Sequence, residues 1–364
     1  MDNTARPIAI YLPQYHPIPE NDEWWGKGFT EWTNVARARP LFNGHYQPHL
    51  PADLGFYDLR LPEVRQAQAD MARQYGIHGF CYYHYWFNGR RLLERPFNDV
   101  LSSGKPDFPF CLCWANETWS RTWDGKESEI LMRQNYSLQD DINHIRSLFK
   151  TFEDYRYIRV GNKPVFIIYR PSGLPNPRRT TDAWREEAVR SGIGDLYLCK
   201  VERFDNDISN PVQDGFDASI KFQPDGKDIG RRVEESWINN MRLQLTRTSN
   251  NLRNNQVYDY KEMVENIINK NESVAYTRYP CVTPMWDNSA RRNKNAFILI
   301  NSTPEQYKKW LLHTICRYGY AEKDENFVFI NAWNEWAEGN HLEPCQKWGH
   351  SYLEATKEAF TQSL

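Results

Sequence analysis

The chain has 364 residues, of which 45 are Lys or Arg and 47 are Asp or Glu, giving a formal net charge of −2. This balance argues against a nucleic-acid-binding surface, which usually carries a basic excess. No apolar run reaches the 18 residues of a membrane-spanning helix, and residues 1–6 lack the apolar stretch of a secretory signal. We therefore expect no nucleic-acid partner, no membrane span and a cytoplasmic location.

Short apolar runs alternate with helical patterns along the chain. Strands are predicted at residues 8–15, 79–86, 109–116, 163–170, 196–202, 218–223, 281–286 and 326–333. Helices are predicted at 62–75, 139–153, 181–191, 259–270 and 303–317. Eight strands separated by crossover segments indicate parallel βαβ units, and eight is the number that closes a (β/α)8 barrel.

The favoured fold is therefore α/β, a single (β/α)8 TIM barrel over residues 1–364 with long βα loops. A doubly wound sheet is the alternative, but it usually has a glycine-rich loop after its first strand, where this chain has YLPQY at 11–15. Residues 225–258 are rich in Asn and Arg and poor in apolar side chains, so we interpret them as a polar excursion from the barrel. The seven cysteines form no CxxC pair or zinc spacing and are expected to be buried, reduced thiols.

Tryptophan is concentrated where a barrel enzyme would bind its substrate, at the C-terminal ends of strands and in the loops that follow. Ten of the 14 tryptophans fall there, namely Trp24, Trp25, Trp32, Trp86, Trp114, Trp119, Trp123, Trp286, Trp333 and Trp336. Aromatic faces beside carboxylates and amides suit a carbohydrate, because sugar rings offer C–H faces for stacking and hydroxyls for hydrogen bonds. Packing of the tryptophans in the core is the alternative interpretation.

The sequence EWAEG at 335–339 gives the sharpest indication of chemistry. Glu335 and Glu338 share one face if the chain turns helically there, and their repulsion would leave an acid beside a base. Glycosidic cleavage needs such a pair, so these are the predicted catalytic residues; ordinary loop carboxylates are the alternative. Glu117, after the third strand, is a rival that would react with Glu335 across the barrel, but we expect it to bind substrate without reacting.

The predicted substrate-binding residues share a position at or just beyond a predicted strand end. They are Tyr11, Gln14, His16, Trp32, Tyr83, His84, Trp86, Trp114, Asn116, Glu117, Trp119, Arg121, Lys200, Gln223, Trp286, Asp287, Trp333, Asn334 and Trp336. A metal site formed by His16, His84, Glu117 and His341 is set aside, because their spacing carries no ligand signature. No GxGxxG or P-loop is present. The expected partner is an oligosaccharide or polysaccharide, with no metal and no other cofactor.

Four motifs in order resemble one family. YLPQYH at 11–16, GFTEWTNV at 28–35, CWANE at 113–117 and NEWAEG at 334–339 are similar to those of WbsX-type proteins. These are glycoside hydrolase family 99-like proteins, often encoded in bacterial polysaccharide-biosynthesis clusters and often labelled glycosyltransferases. The resemblance spans about residues 6–360 and implies a (β/α)8 barrel.

The resemblance also implies a mechanism. Its better-characterised relatives are endo-α-mannosidases and endo-α-mannanases that act with retention but without a carboxylate nucleophile. Glu335 matches the base that deprotonates the sugar 2-hydroxyl to form a 1,2-anhydro sugar, and Glu338 matches the acid/base, expected to have the raised pKa. Ala337 stands where the family has His.

The implied function is a retaining, endo-acting glycoside hydrolase. Its substrate would be an α-linked, mannose- or rhamnose-like bacterial polysaccharide or glycan. A glycosyltransferase of O-antigen or capsule biosynthesis and an inactive carbohydrate-binding protein are the alternatives.

Overall fold

The computed structural model of the chain describes residues 5–121, 126–233, 254–292, 294–318 and 324–362. Trp123 and residues 234–253 of the predicted polar excursion lie outside these ranges. The strands are β1 Arg6–Tyr11, β2 Gly79–Phe87, β3 Arg90–Leu92, β4 Phe110–Trp114, β5 Trp119–Arg121, β6 Lys126–Met132, β7 Arg159–Val160, β8 Lys163–Ile168, β9 Tyr197–Glu202, β10 Ala218–Lys221, β11 Gln256–Asp259, β12 Arg278–Val282, β13 Trp286–Asp287, β14 Phe297–Ile300, β15 Phe327–Ile330, β16 Asn334–Glu335 and β17 Asn340–His341. The helices are α1 Pro19–Trp25, α2 Glu31–Arg37, α3 Pro62–Gln74, α4 Arg95–Ser103, α5 Leu138–Phe152, α6 Pro177–Arg190, α7 Tyr260–Asn269, α8 Pro304–Arg317 and α9 Ser351–Gln362.

Eight parallel strands close into a barrel in the order β1-β15-β12-β10-β9-β8-β4-β2, and β2 pairs back to β1. The closure is visible at Ile8, which is in register with Phe329 of β15 on one side and Gly79 of β2 on the other. The predicted (β/α)8 barrel is confirmed, and the doubly wound alternative is excluded because the sheet has no open edge between β1 and β2.

The barrel strands are buried on both faces, which is why they read as continuous apolar runs. In β8 the side chains from Pro164 to Ile168 are all buried, and every residue of β15 is buried. Six of the seven free cysteines are buried as expected, and Cys316 in α8 is exposed. None of the helices in the described ranges is both long enough and apolar enough to cross a membrane.

The seventh barrel strand begins earlier than predicted, at Arg278 instead of residue 281. Arg278 and Pro280 are atypical of a buried strand, so the apolar pattern placed the start of the strand after them. Arg278 is tolerated in a buried strand because its guanidinium pairs with Glu272 at 2.9 Å and with Glu202 at 3.6 Å.

Part of the predicted polar excursion forms a strand. β11 pairs with β14, and β14 pairs with β13 in a small sheet of three strands. β13 carries Trp286 and Asp287, so this sheet supports the chain that follows β12 at the barrel mouth. Residues 256–258, at the end of the predicted excursion, are therefore part of a folded element that supports the site.

Candidate active site

A cleft of about 580 Å³ opens at the C-terminal ends of the barrel strands. All eight barrel strands contribute, either directly or through the loop that follows each one. Its aromatic lining is Trp24, Trp25, Tyr83, Tyr85, Trp119, Tyr169, Phe204, Phe222 and Trp286. Glu335 and Glu338 line the same cleft, together with Gln14 and Glu117. The structure thus brings the two predicted catalytic carboxylates together with several predicted binding residues.

The two glutamates lie on one tight turn after β15. Glu335 ends the two-residue strand β16, and Trp336–Glu338 form a single 3₁₀ turn that leads into β17. Residues three apart eclipse one another in a 3₁₀ turn, so both carboxylates face the cleft. The turn closes through the Gly339 amide, which donates to the carbonyl of Trp336 at 2.9 Å.

Gly339 is required by both conformation and space. Its φ of +53° lies in the left-handed region, and a Cβ there would lie 3.0 Å from the backbone oxygen of Asp287. The glycine therefore lets the turn that carries Glu335 and Glu338 approach the Asp287 backbone.

A single arginine holds both catalytic candidates. Arg291 Nη1 donates to Glu338 Oε1 at 2.6 Å, and Nη2 donates to Glu335 Oε2 at 3.0 Å. Its Nε and Nη2 also bond the carboxylate of Glu31, at 3.0 and 3.1 Å. Glu31 is fully buried, at the first turn of α2. One guanidinium is thus shared by three carboxylates, one from α2 and two from the turn after β15.

This cluster alters the proton affinity of Glu335. Burial raises its pKa to about 8, against the attraction of Arg291 and with the added repulsion of Glu338 and Glu31. The sequence did not predict this raised pKa of Glu335, the glutamate that the family resemblance assigns as the base. Burial lowers the pKa of the Arg291 guanidinium. The attraction of the three carboxylates is larger than this effect, so the pKa lies well above its ordinary value.

Asp287 positions the turn from which Arg291 extends. Its carboxylate accepts hydrogen bonds from His45 and Gln47, each at 2.7 Å, and from the amide of Ser289 at 2.9 Å. Burial opposes its ionisation, but these bonds, with His45 the strongest, lower the pKa of the carboxyl. Asp287 was predicted to bind substrate, but the structure places it behind the cleft wall, with its oxygens occupied by the protein.

The turn that carries Glu335 and Glu338 rests on a buried polar network. Trp336 stacks on His341 with ring centroids 3.8 Å apart and donates from its indole nitrogen to Glu343 at 2.6 Å. His341 in turn lies 3.1 Å from the Nδ1 of His49. Burial raises the pKa of Glu343 to about 7 and lowers that of His49 to about 4. Trp336 therefore fixes the turn from below and does not line the cleft.

Several predicted aromatic binding residues belong to the core instead. Trp114 is 1% exposed and packs on Trp184 and His144, which lie on the helices outside the barrel. Trp86 and His84 also contact His144. Tyr11, Trp333 and Trp32 are buried as well, and none of these six lines the cleft. For the four residues on barrel strands, the physical reason is strand geometry: successive side chains point to opposite faces, so only alternate residues can reach the mouth. Trp32 lies in α2 and packs against Tyr15, Tyr57 and Trp336.

Other predicted polar residues organise the loops around the cleft. Asn334 clamps the chain after β1, accepting from the Leu12 amide at 2.7 Å and donating to its carbonyl at 3.0 Å. Asn116 makes the equivalent clamp on the backbone of Arg170. These two asparagines occupy their side-chain amides in backbone hydrogen bonds.

The remaining predicted residues are also held by protein groups. Lys200 donates to Ser209 at 2.6 Å, and Gln223 donates to Asp228 at 3.0 Å. Arg121 pairs with Glu129 at 2.6 Å. The ring of His16 is buried against the carbonyl of Pro13, and burial lowers its pKa to about 4. None of the four lines the cleft.

Sequence reasoning missed the residues that complete the site. Glu31 lies in the motif GFTEWTNV, so a signal existed, but nothing in the sequence indicates that it meets Arg291, 260 positions away. Arg170 and Arg203 also line the cleft, and position immediately after a strand was the available signal.

A cavity of about 720 Å³ lies at the other end of the barrel, but its arginines, Arg178 and Arg185, are in ion pairs with nearby aspartates. Among the described residues, no group of three or more His, Cys, Asp or Glu side chains could hold a metal ion.

The fold and the candidate site together define a closed parallel barrel that carries a pair of carboxylates at its C-terminal mouth. Residues 7–356 match the family model described as Glycosyltransferase WbsX, and the chain therefore belongs to the WbsX family. It is 43% identical over 357 residues to the uncharacterized protein WxcX of Xanthomonas campestris pv. campestris strain B100. That alignment covers 98% of this chain but 50% of the relative, so the chain spans about half the length of WxcX.

Solved structures resemble the whole chain in fold. The GH99 endo-alpha-mannosidase from Bacteroides thetaiotaomicron matches with a TM-score of 0.57 at 15% identity, over 100% of this chain and 99% of that one. A structure described as a glycoside hydrolase-like protein matches with a TM-score of 0.58 at 15% identity, covering 99% and 94% of the two chains. At this identity the likeness shows the fold, which is that of family 99 glycoside hydrolases.

Proposed function

We propose that the chain is a retaining glycoside hydrolase that cleaves an α-linked glycan at the barrel mouth, with Glu335 and Glu338 as the reacting pair. The observation that carries the proposal is the pair itself, fixed on one turn by Arg291 within an aromatic-lined cleft. Membership of the WbsX family and the family 99 fold support the same class of substrate.

The proposed first step uses the sugar's own 2-hydroxyl as the nucleophile. Glu335 takes the hydroxyl proton, the oxygen attacks C1, and Glu338 donates its proton to the glycosidic oxygen as the C1–O bond breaks. A base works best when its pKa lies near the working pH, so the pKa of about 8 suits Glu335 to this role.

The second step reverses these proton transfers. Glu338, now a carboxylate, takes a proton from water as the water attacks C1 of the 1,2-anhydro sugar. The C1–O2 bond breaks, and Glu335 returns its proton to the 2-oxygen. This chemistry requires a 2-hydroxyl trans to the leaving group, as in an α-mannoside or α-rhamnoside, and the cleft across the mouth suits an internal position in a longer glycan.

The experiment is a panel of α-linked oligosaccharides incubated with the wild-type chain and with Glu335→Gln and Glu338→Gln. Loss of a general acid or base typically slows a step ~10²–10⁴-fold. Glu338→Gln should spare activated aryl glycosides at the first step, because their leaving group needs no protonation, whereas Glu335→Gln should slow every substrate. Normal turnover of an aryl glycoside by Glu335→Gln would refute the 2-hydroxyl mechanism and favour a pair that includes Glu117.

The family description names a glycosyltransferase, so transfer to an acceptor sugar is the second candidate. It differs from hydrolysis in the group that attacks C1, a sugar hydroxyl in place of water. The same panel with sugar nucleotides added would separate the two, because a transferase would lengthen an oligosaccharide and a hydrolase would shorten it. Binding without either product would indicate a carbohydrate-binding protein.

A further inference from the structure

Two arginines line the cleft on the side opposite the catalytic turn. Arg170 follows β8 and Arg203 follows β9, while Glu335 and Glu338 follow β15. In the barrel order, β8 stands four strands from β15 in either direction. A glycan that spans the mouth from the catalytic pair would therefore meet these guanidinium groups.

Arg203 is held by aromatic rings instead of by a carboxylate. Its guanidinium carbon lies 5.6 Å from the ring centre of Tyr169, 5.7 Å from that of Phe204 and 5.5 Å from that of Phe222. It also donates to the hydroxyl of Tyr169. Among the residues that the structure describes, no Asp or Glu forms an ion pair with it. Aromatic faces orient the planar group while leaving its charge uncompensated.

Arg170 approaches the same ring from another strand. Its guanidinium carbon lies 4.9 Å from the centre of Phe204. Asn116 fixes its backbone through two hydrogen bonds of 2.8 Å. Its carboxylate contact, with Glu117 at 3.4 Å, joins two partly exposed side chains, and such pairs are weak. Two guanidinium groups thus flank Phe204 at the wall of the cleft.

Both arginines line the same cleft as Glu335 and Glu338. Burial raises the pKa of Tyr83 well above its ordinary value; the negative charge of Glu335 adds to this, and the positive charge of Arg203 opposes it. Tyr83 lines the same cleft as Glu335 and Arg203, and its ring packs edge-on against Tyr169, the ring over which Arg203 lies, with centroids 6.0 Å apart.

We infer that the glycan carries an anionic group, a carboxylate or a phosphate, and that Arg170 and Arg203 bind it. This inference rests on the proposed function, because it concerns the substrate of the same cleft. Guanidinium groups present N–H donors in a fork that matches the oxygens of carboxylate and phosphate. A neutral hydroxyl would leave the positive charge of Arg203 without a counter-charge.

The test compares matched acidic and neutral substrates. The probes are α-linked mannose oligosaccharides that carry glucuronic acid or a 6-phosphate, beside the same compounds after carboxyl reduction or dephosphorylation. Values of kcat/KM are measured for wild type, Arg170→Gln, Arg203→Gln and Arg203→Lys at low and high salt. Arg178→Gln is the matched control, because Arg178 is a surface arginine paired with Asp182 at the other end of the barrel.

Wild type and the Arg178→Gln control should prefer one acidic probe by about 10-fold or more, the size expected of hydrogen bonds to a charged group. High salt should reduce the preference, and Arg203→Gln and Arg170→Gln should each lower the acidic-to-neutral ratio toward one. Arg203→Lys should keep part of it, which a folding defect would not explain. A preference for the glucuronic acid probe would identify the anion as a carboxylate, and a preference for the 6-phosphate probe would identify it as a phosphate.

Three results would overturn the inference. Equal kcat/KM for acidic and neutral probes in wild type would do so while the proposed hydrolysis stands. So would a preference that survives in both glutamine variants. Failure of wild type to cleave or bind any of the probes would overturn the proposed function as well.

Discussion

Replacing Arg291 with methionine tests the charge cluster at the centre of the site. Methionine fills a similar volume but leaves Glu31, Glu335 and Glu338 facing one another without a cation. Removing one partner of a buried ion pair typically costs about 3–5 kcal/mol. With an unfolding entropy of about 2.1 cal/mol/K per residue, that loss lowers the Tm of a chain of this size by about 4–7 °C.

The pH dependence of this loss distinguishes electrostatics from packing. Without Arg291, nothing offsets the burial and mutual repulsion of the three carboxyls, so ionising them costs more in the folded chain than in the unfolded one. The stability deficit is therefore small below about pH 4 and grows as the pH rises and they ionise. Thermal unfolding of wild type and Arg291→Met at pH 4 and pH 8 measures this change.

The matched control is Arg178→Met, which removes an exposed pair with Asp182 and should cost at most about 1 kcal/mol. A Tm gap between wild type and Arg291→Met that is the same at both pH values would refute the reasoning. It would mean that Arg291 contributes volume and not charge.

Three further predictions concern the roles of single residues. If Glu335 is the base, kcat/KM should rise as the pH increases through about 8, because its carboxyl must be ionised to accept a proton, and Glu335→Gln should remove that rise; a fall over the same range would make Glu335 an acid. Trp114→Ala should cost about 3–5 kcal/mol of stability with little change in KM, since the indole is in the core, and calorimetry together with kinetics would show the opposite pattern if Trp114 bound substrate. Glu117→Gln should raise KM more than it lowers kcat, whereas a ~10⁴-fold drop in kcat at constant KM would place Glu117 among the reacting groups.

The barrel and the turn that brings Glu335 and Glu338 together could be predicted because both depend on local pattern. Each barrel strand is a short apolar run, and the parallel pairing of eight such runs gives one closed arrangement. Glu335 and Glu338 are three residues apart, so the geometry of a single turn brings them together. Long-range contacts have no such signature, and the meeting of Glu31 with Arg291 depends on the whole fold.

The sequence also could not predict which side chains at the strand ends face the cleft. In β2, Tyr83 and Tyr85 line the cleft, while His84 and Trp86 point outward to His144 of α5. The sequence YYHYW is aromatic at nearly every position, so polarity does not reveal which alternate set faces inward. An error of one residue in that register exchanges binding residues for core residues.

The histidine stacked beneath the turn that carries Glu335 and Glu338 is held in one tautomer. His341 Nδ1 lies 2.9 Å from the carbonyl oxygen of Glu343, which can only accept, so this nitrogen carries the hydrogen. In the neutral ring Nε2 must then accept, and the nitrogen that donates to it is Nδ1 of His49. Burial lowers the pKa of both rings, which keeps them uncharged near neutral pH. The indole of Trp336 therefore rests on a neutral imidazole of fixed orientation, and the carboxylates above it take their only nearby positive charge, among the described contacts of this turn, from Arg291.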